Sequence, residues 1–306
     1  MTDPAPASTA PASVPRSLDA IARPSGTLAM VAMDQRESLR HMFDLAGADR
    51  PADDVLIGFK VAVAEALGPL ASGFLIDRQY GFEAVRDLLP SRTGLILAAD
   101  ALEQEDGGPV EETGLDDVVL ERTDLDGVVA LKLLVIWRRD AKRPARVHLV
   151  ERFIAECRAR GVLSVLEPVV RATPAELDEK SWDMDDAIRE AARELSPLGP
   201  SLYKVQVPLA GTGDDREQRE ASERLNEAIT GPWVVLSQGV DRPAFEPAVR
   251  AACRAGASGF LAGRALWSDV VGSADVPAAL RELSVPRFES LIAVVEREAR
   301  PWREAS

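Results

Sequence analysis

Eight apolar runs of strand length recur along the chain, each followed by a segment with helical periodicity, and this rhythm restricts the fold more than any other feature. The runs are TLAMVAM (27–33), SGFLI (72–76), GLILAA (94–99), GVVALKLLVI (127–136), VLSVLEPVV (162–170), SLYKVQVP (201–208), PWVVLS (232–237) and GFLAG (259–263). They are continuous stretches of Val, Leu and Ile with little alternation, the pattern of parallel strands covered on both faces. Between them, 54–67, 146–160, 184–195, 216–229 and 242–254 carry helical periodicity. Eight β-α units predict an α/β fold of the closed (β/α)8, or TIM-barrel, type; an open doubly wound sheet is the competing arrangement, since it alternates too.

A chain of 306 residues suits one such barrel. Residues 1–16, rich in Pro, Ala, Ser and Thr, read as a disordered tail, and 17–306 as a single domain. The acidic stretch from Asp100 to Asp117 reads as a loop above the third strand, and Pro277 to Arg300 as a closing helix. The net charge of −14 argues against a nucleic-acid partner, although a few cations in a cleft can still bind a small anion. No apolar run approaches a membrane span, and Cys157 and Cys253 make no disulfide framework. The cytoplasm is the expected compartment and a homo-oligomer the expected assembly. His41 and His148 are the only histidines and have no metal-ligand spacing, so neither a metal nor another cofactor is expected.

Lysine is scarce: of 36 basic residues only Lys60, Lys132, Lys142, Lys180 and Lys204 are lysines. Lys132 (VALKLLV) and Lys204 (SLYKVQV) lie inside the fourth and sixth apolar runs, where a solvated charge is out of place. Desolvation and a nearby cation both favour a neutral amine, which attacks carbonyl carbon. The alternative is a lysine paired with a buried carboxylate for structural reasons alone. Carboxylates stand at the C-terminal ends of runs, where barrels place their active sites: Asp34, Asp77, Asp100 and Glu167. Helix capping accounts well for Asp100 and in part for Asp77. It accounts poorly for Glu167, which Pro168 follows. The last two runs end in LSQG (236–239) and AGRA (262–265). Small residues there let backbone N–H groups approach an anion, with Ser237 and Arg264 as further donors.

The segments MVAMDQRESL, ALKLLVIWR, LEPVVR, LYKVQVPL, PWVVLSQGVD and GASGFLAGRALW together resemble the class I aldolase family that contains tagatose-bisphosphate aldolase and sulfofructosephosphate aldolase. The resemblance runs from about Ser17 to the C-terminal helix. LKLLVIWRRD, EPVVR and ASGFLAGRALW, with Gln79 after the second run, lean to the sulfofructosephosphate branch. The resemblance implies reversible cleavage of 6-deoxy-6-sulfofructose 1-phosphate to dihydroxyacetone phosphate and 3-sulfolactaldehyde; the alternative substrate is tagatose or fructose 1,6-bisphosphate. By motif, Lys204 is the Schiff-base lysine, Glu167 and Lys132 are its acid/base neighbours, and Asp34 is a polar group at the reacting carbons. Ser237, Gly239, Gly263 and Arg264 fall in the anion-binding motifs. The chain departs from the family at Gln206, where Glu is usual, at Gln238, where the sulfo branch has Ser, and in DRQYGF, which mixes the branches.

On this reading the substrate is a small keto-sugar phosphate, anionic at both ends. The loops after the seventh and eighth runs are expected to hold the phosphate, and Gln35 with Arg36, or Arg171, the other anion. A sulfonate carries one charge and a phosphate monoester nearly two, so a sulfonate site needs fewer cations and more neutral donors, such as Gln79 and Gln238. Lys132 is expected to keep the Lys204 amine neutral and Glu167 ionised, with Glu167 and Asp34 interchangeable as proton carriers. A metal-free barrel isomerase would not need a lysine on the sixth run, and a non-catalytic sugar-phosphate sensor would not need Lys132, Glu167 and Lys204 together. Cleavage activity is therefore expected to survive excess EDTA. A large loss that zinc restores would show that the Schiff-base assignment is wrong.

Overall fold

The computed structural model describes residues 17–47, 51–105 and 108–305. The tail expected over 1–16 lies outside the described residues. The chain runs through β1 (Leu28–Met33), α1 (Glu37–Leu45), α2 (Asp53–Leu67), β2 (Gly73–Ile76), α3 (Phe82–Val85) and β3 (Gly94–Ala98). It continues through β4 (Asp100–Gln104), β5 (Val110–Leu115), α4 (Asp117–Glu121), β6 (Val128–Trp137), α5 (Arg143–Arg160), β7 (Leu163–Val170), α6 (Pro174–Asp178) and α7 (Met184–Leu195). The last part holds β8 (Leu202–Gln206), α8 (Asp215–Asn226), β9 (Trp233–Leu236), α9 (Arg242–Ala255), β10 (Gly259–Ala262), α10 (Arg264–Trp267), α11 (Val276–Ala279) and α12 (Val285–Glu298).

The eight apolar runs are the eight strands of a closed parallel barrel, in the order β1-β10-β9-β8-β7-β6-β3-β2, with β2 returning to β1. Closure excludes the open doubly wound sheet. Side chains alternate between two cores, as strand geometry requires. Met30 and Ala32 of β1, Ala130 of β6, Leu163 and Val165 of β7 and Leu202 of β8 fill the bore. Ala29, Val31, Leu131, Leu166 and Tyr203 face the helices. Leu18 and Ile21, on a short 3-10 turn capped by Ser17, close the bore from below. The alternation therefore aims Lys132, Glu167 and Lys204 into the bore, at the carboxyl ends of their strands.

Two regions differ from the sequence expectation. The stretch expected as a loop over 100–117 contains an antiparallel hairpin, β4 against β5. It has few apolar residues, so backbone pairing and ion pairs hold it. Buried Arg146 on α5 grips Glu112 (2.6 and 3.1 Å) and Asp140 (2.7 and 3.0 Å), and Arg138 reaches Glu111 at 2.5 Å. Burial opposes the Arg146 charge, but these carboxylates outweigh it and raise the guanidinium above its ordinary value. The closing helix is likewise interrupted, by a π-helical turn over Leu280–Ser284. Pro286 follows that turn, has no N–H to donate and would crowd the carbonyl four residues back, so the wider turn relieves the clash.

Candidate active site

At the carboxyl end of the barrel lies a cavity of about 600 Å3. Its base is a cluster of charge. Lys132 Nζ donates to Asp34 Oδ2 at 2.7 Å and to Asp100 Oδ2 at 3.0 Å, and lies 2.9 Å from Glu167 Oε2. Lys204 Nζ lies 3.0 Å from the same Glu167 oxygen. Strand register sets this geometry: Leu166 pairs with Tyr203 and Leu134 with Glu167, so Glu167 stands level with Lys204 and one pleat above Lys132. Glu167 Oε2 is at ion-pair distance from both ammonium groups but makes no directed hydrogen bond. Glu167 also lines the cavity.

Burial alone would lower the Lys132 ammonium. Asp100, Asp34 and Glu167 together outweigh burial and raise it well above the ordinary lysine value. Burial would likewise raise the Asp34 carboxyl, but Lys132, Lys204 and Arg36 outweigh it and hold it far below the usual carboxylate range. Lys132 is therefore a fixed cation and Asp34 a fixed anion. Gln206 accepts the Val170 N–H at 2.8 Å and stitches β8 to the end of β7 without adding negative charge.

The cavity wall brings together Asp34, Gln35, Arg36, Lys132, Glu167, Arg171, Lys204, Ser237, Gln238, Gly263 and Arg264. Gln79 and Gly239 are not among its lining residues. Asp77 accepts the Tyr80 N–H at 2.7 Å and turns the chain, so Gln79 is exposed and its amide meets the Tyr80 hydroxyl at 2.8 Å. Gly239, with φ +80°, shapes the turn that presents Ser237 and Gln238. Gly263 is needed for close approach, since a Cβ there would sit 2.5 Å from the Ala32 carbonyl oxygen. Arg36 is in the wall, yet its guanidinium already donates to the Asp100 carboxylate (2.6 Å) and carbonyl (2.9 Å). By contrast, neither the Arg171 nor the Arg264 guanidinium has a hydrogen-bond or ion-pair partner among the described residues. Burial depresses both, outweighing the pull of Glu111 on Arg171 and of Glu167 and Asp34 on Arg264, and Arg171 also opposes the Arg264 charge. Two desolvated cations without counter-ions make a place for an anion.

Residues 28–269 match the profile of the DeoC/LacD family aldolases. The chain belongs to that family. It is 28% identical to tagatose 1,6-diphosphate aldolase 2 of Streptococcus pyogenes serotype M3, over 91% of this chain and 94% of the relative. It is 27% identical to tagatose 1,6-diphosphate aldolase of Listeria monocytogenes serotype 4a, over 93% and 92%. The fold is similar to that of fructose-bisphosphate aldolase from Plasmodium falciparum (TM-score 0.66, 15% identity, covering 94% of this chain and 98% of that one). It is also similar to an archaeal fructose-1,6-bisphosphate aldolase whose catalytic Lys is covalently bound to the carbinolamine intermediate (TM-score 0.56, 14% identity, 91% and 98% covered). This DeoC/LacD family member is thus an aldolase, a lyase. No described helix is long and apolar enough to cross a membrane.

Sequence reasoning gave Asp100 to helix capping and gave Lys60 no part in this family member's site. Asp100 does not cap a helix. It is 1% exposed and accepts from Lys132, Arg36 and the Leu134 N–H. Lys60, fully buried on α2, donates to the Met33 and Gln35 carbonyls (2.8 and 2.7 Å) and to Asp77. Its three protons are all used, and they fix the backbone on either side of Asp34. Desolvation lowers its ammonium despite the pull of Asp77. A signal was present: Lys60 shares the buried face of α2 with Leu56, Val63 and Leu67, where a lysine needs a partner. Lys60→Met should destabilise the fold by about 3–5 kcal/mol, because it strands the buried Asp77 carboxylate. Denaturant titration reads this directly, and an unchanged midpoint would show that the pair does not hold the loop.

Proposed function

We propose that this aldolase cleaves 6-deoxy-6-sulfofructose 1-phosphate reversibly to dihydroxyacetone phosphate and 3-sulfolactaldehyde, through an imine at Lys204. The observation that carries the chemistry is the position of Glu167, one carboxylate oxygen between two buried ammonium groups. Glu167 takes the proton that frees the Lys204 amine, and the amine attacks the C2 ketone. Protonated Glu167 then delivers the proton with which the carbinolamine hydroxyl leaves as water. The iminium draws the electrons of the C3–C4 bond as Glu167 accepts the C4 hydroxyl proton, and the aldehyde departs. The remaining enamine is protonated at C3 and hydrolysed to dihydroxyacetone phosphate. Asp34, held ionised by Lys132, fits a charge-stabilising part better than that of proton carrier.

The distribution of free cations supports the sulfosugar. Among the described wall residues, the arginines without counter-ions are Arg171 and Arg264, at the ends of β7 and β10. They suit the C1 phosphate dianion together with the Ser237 turn. The side formed by the β1 end, α1 and the hairpin offers neutral donors such as Gln35, Ser38 and Gln104, with Arg36 already bound to Asp100. That environment suits a monoanionic sulfonate better than a second dianion. The names of the relatives favour a second reading, in which tagatose 1,6-bisphosphate is the substrate. On either reading the enzyme acts in the cytoplasm as a homo-oligomer.

Cleavage assayed side by side on the sulfosugar phosphate and on tagatose and fructose 1,6-bisphosphates is expected to give the highest kcat/KM for the sulfosugar. Arg264→Ala should raise KM by about tenfold or more through the loss of one charge-assisted fork. A bisphosphate cleaved far better than the sulfosugar would overturn the substrate assignment and leave the aldolase intact. An unchanged KM in Arg264→Ala would overturn the phosphate site.

A further inference from the structure

We infer that Asp100 is a positioning residue of this active site: a buried counter-ion that holds Lys132 in place while Glu167 passes through its protonated state. The inference rests on the proton-carrying part proposed for Glu167. Lys132 meets three carboxylates, and two of them, Asp34 and Glu167, line the cavity. Asp100 is 1% exposed and is not among the lining residues. Its acceptors are engaged by the protein itself: Oδ2 takes Lys132 Nζ and the Leu134 N–H, each at 3.0 Å, and Oδ1 takes Arg36 at 2.6 Å.

The need for such a group follows from charge accounting over one turnover. In the cluster, the carboxylates of Asp34, Asp100 and Glu167 face the side chains of Lys132, Lys204 and Arg36. When Glu167 becomes a carboxylic acid, Lys132 loses one of its three counter-ions. Arg264 on the β10 side acts on both Glu167 and Asp34, and adds to the positive side. The proton comes from Lys204, so the cluster loses one cation and one anion together, and Asp100 keeps Lys132 paired through that step. As the first residue of β4, it also ties the hairpin wall to the reacting centre.

Two variants of opposite charge test this. Asp100→Asn keeps the shape and removes an anion. The unbalanced cations then favour ionised Glu167 and Asp34, so kcat falls by about tenfold or more and the acid limb of its pH profile moves down by about half a pH unit. Arg36→Gln removes a cation from the same cluster, so its acid limb moves up. A packing defect gives no such opposition of sign. If Asp100→Asn does not fold, the upward shift in Arg36→Gln carries the test alone. Wild type is treated in parallel with borohydride and dihydroxyacetone phosphate. Inactivation there, with acid limbs that stay fixed or move the same way in the two variants, overturns the part given to Asp100 alone. Wild type that resists inactivation overturns the imine reading and this inference with it.

Discussion

One oxygen of Glu167 is within 3.0 Å of two lysine nitrogens, in a bore otherwise packed with aliphatic side chains. Buried charges of this kind persist only where they are matched and hydrogen-bonded, and the surrounding architecture supplies the match. The parallel register puts Glu167 level with Lys204 and one pleat above Lys132. Asp34 enters from the end of β1 and Asp100 from the base of the hairpin. Moving any of these strands by one residue would turn its charged side chain from the bore to the helix layer and leave its partners unpaired.

The support extends a further layer outward. Lys60 and Asp77 form a fully buried pair between α2 and the end of β2, and the lysine spends its remaining donors on the backbone that carries Asp34. Trp267 donates to the Ala32 carbonyl at 3.1 Å from the other side, beside Gly263. The Asp34 segment is thus fixed by a helix lysine and by an indole from α10. Arg146 anchors the hairpin wall from α5. These contacts orient charged groups before substrate arrives, which spares reorganisation during reaction.

Much of this was legible in the sequence because it depends on strand parity. A lysine within a continuous apolar strand run has either the bore or the helix layer to enter, and both need a partner. The runs themselves matched the eight barrel strands. Asp100 was harder to read, since an Asp after a strand usually caps a turn or helix and its three partners come from segments 36, 132 and 134. The hairpin escaped notice because its strands are short and polar, and ion pairs to Arg138 and Arg146 take the place of an apolar face. Gln79 was placed in the site by motif, but the turn built on Asp77 directs it outward. Local sequence does not encode which way a turn faces once tertiary hydrogen bonds set it.

In the proposed mechanism the imine forms at Lys204, with Lys132 held as a charged neighbour by three carboxylates. Borohydride reduction in the presence of dihydroxyacetone phosphate, followed by peptide mass spectrometry, tests it most directly. A reduced three-carbon phosphate adduct is expected on the peptide that carries Lys204, and none on that of Lys132. An adduct on Lys132 instead, or full cleavage activity in Lys204→Ala, would contradict it.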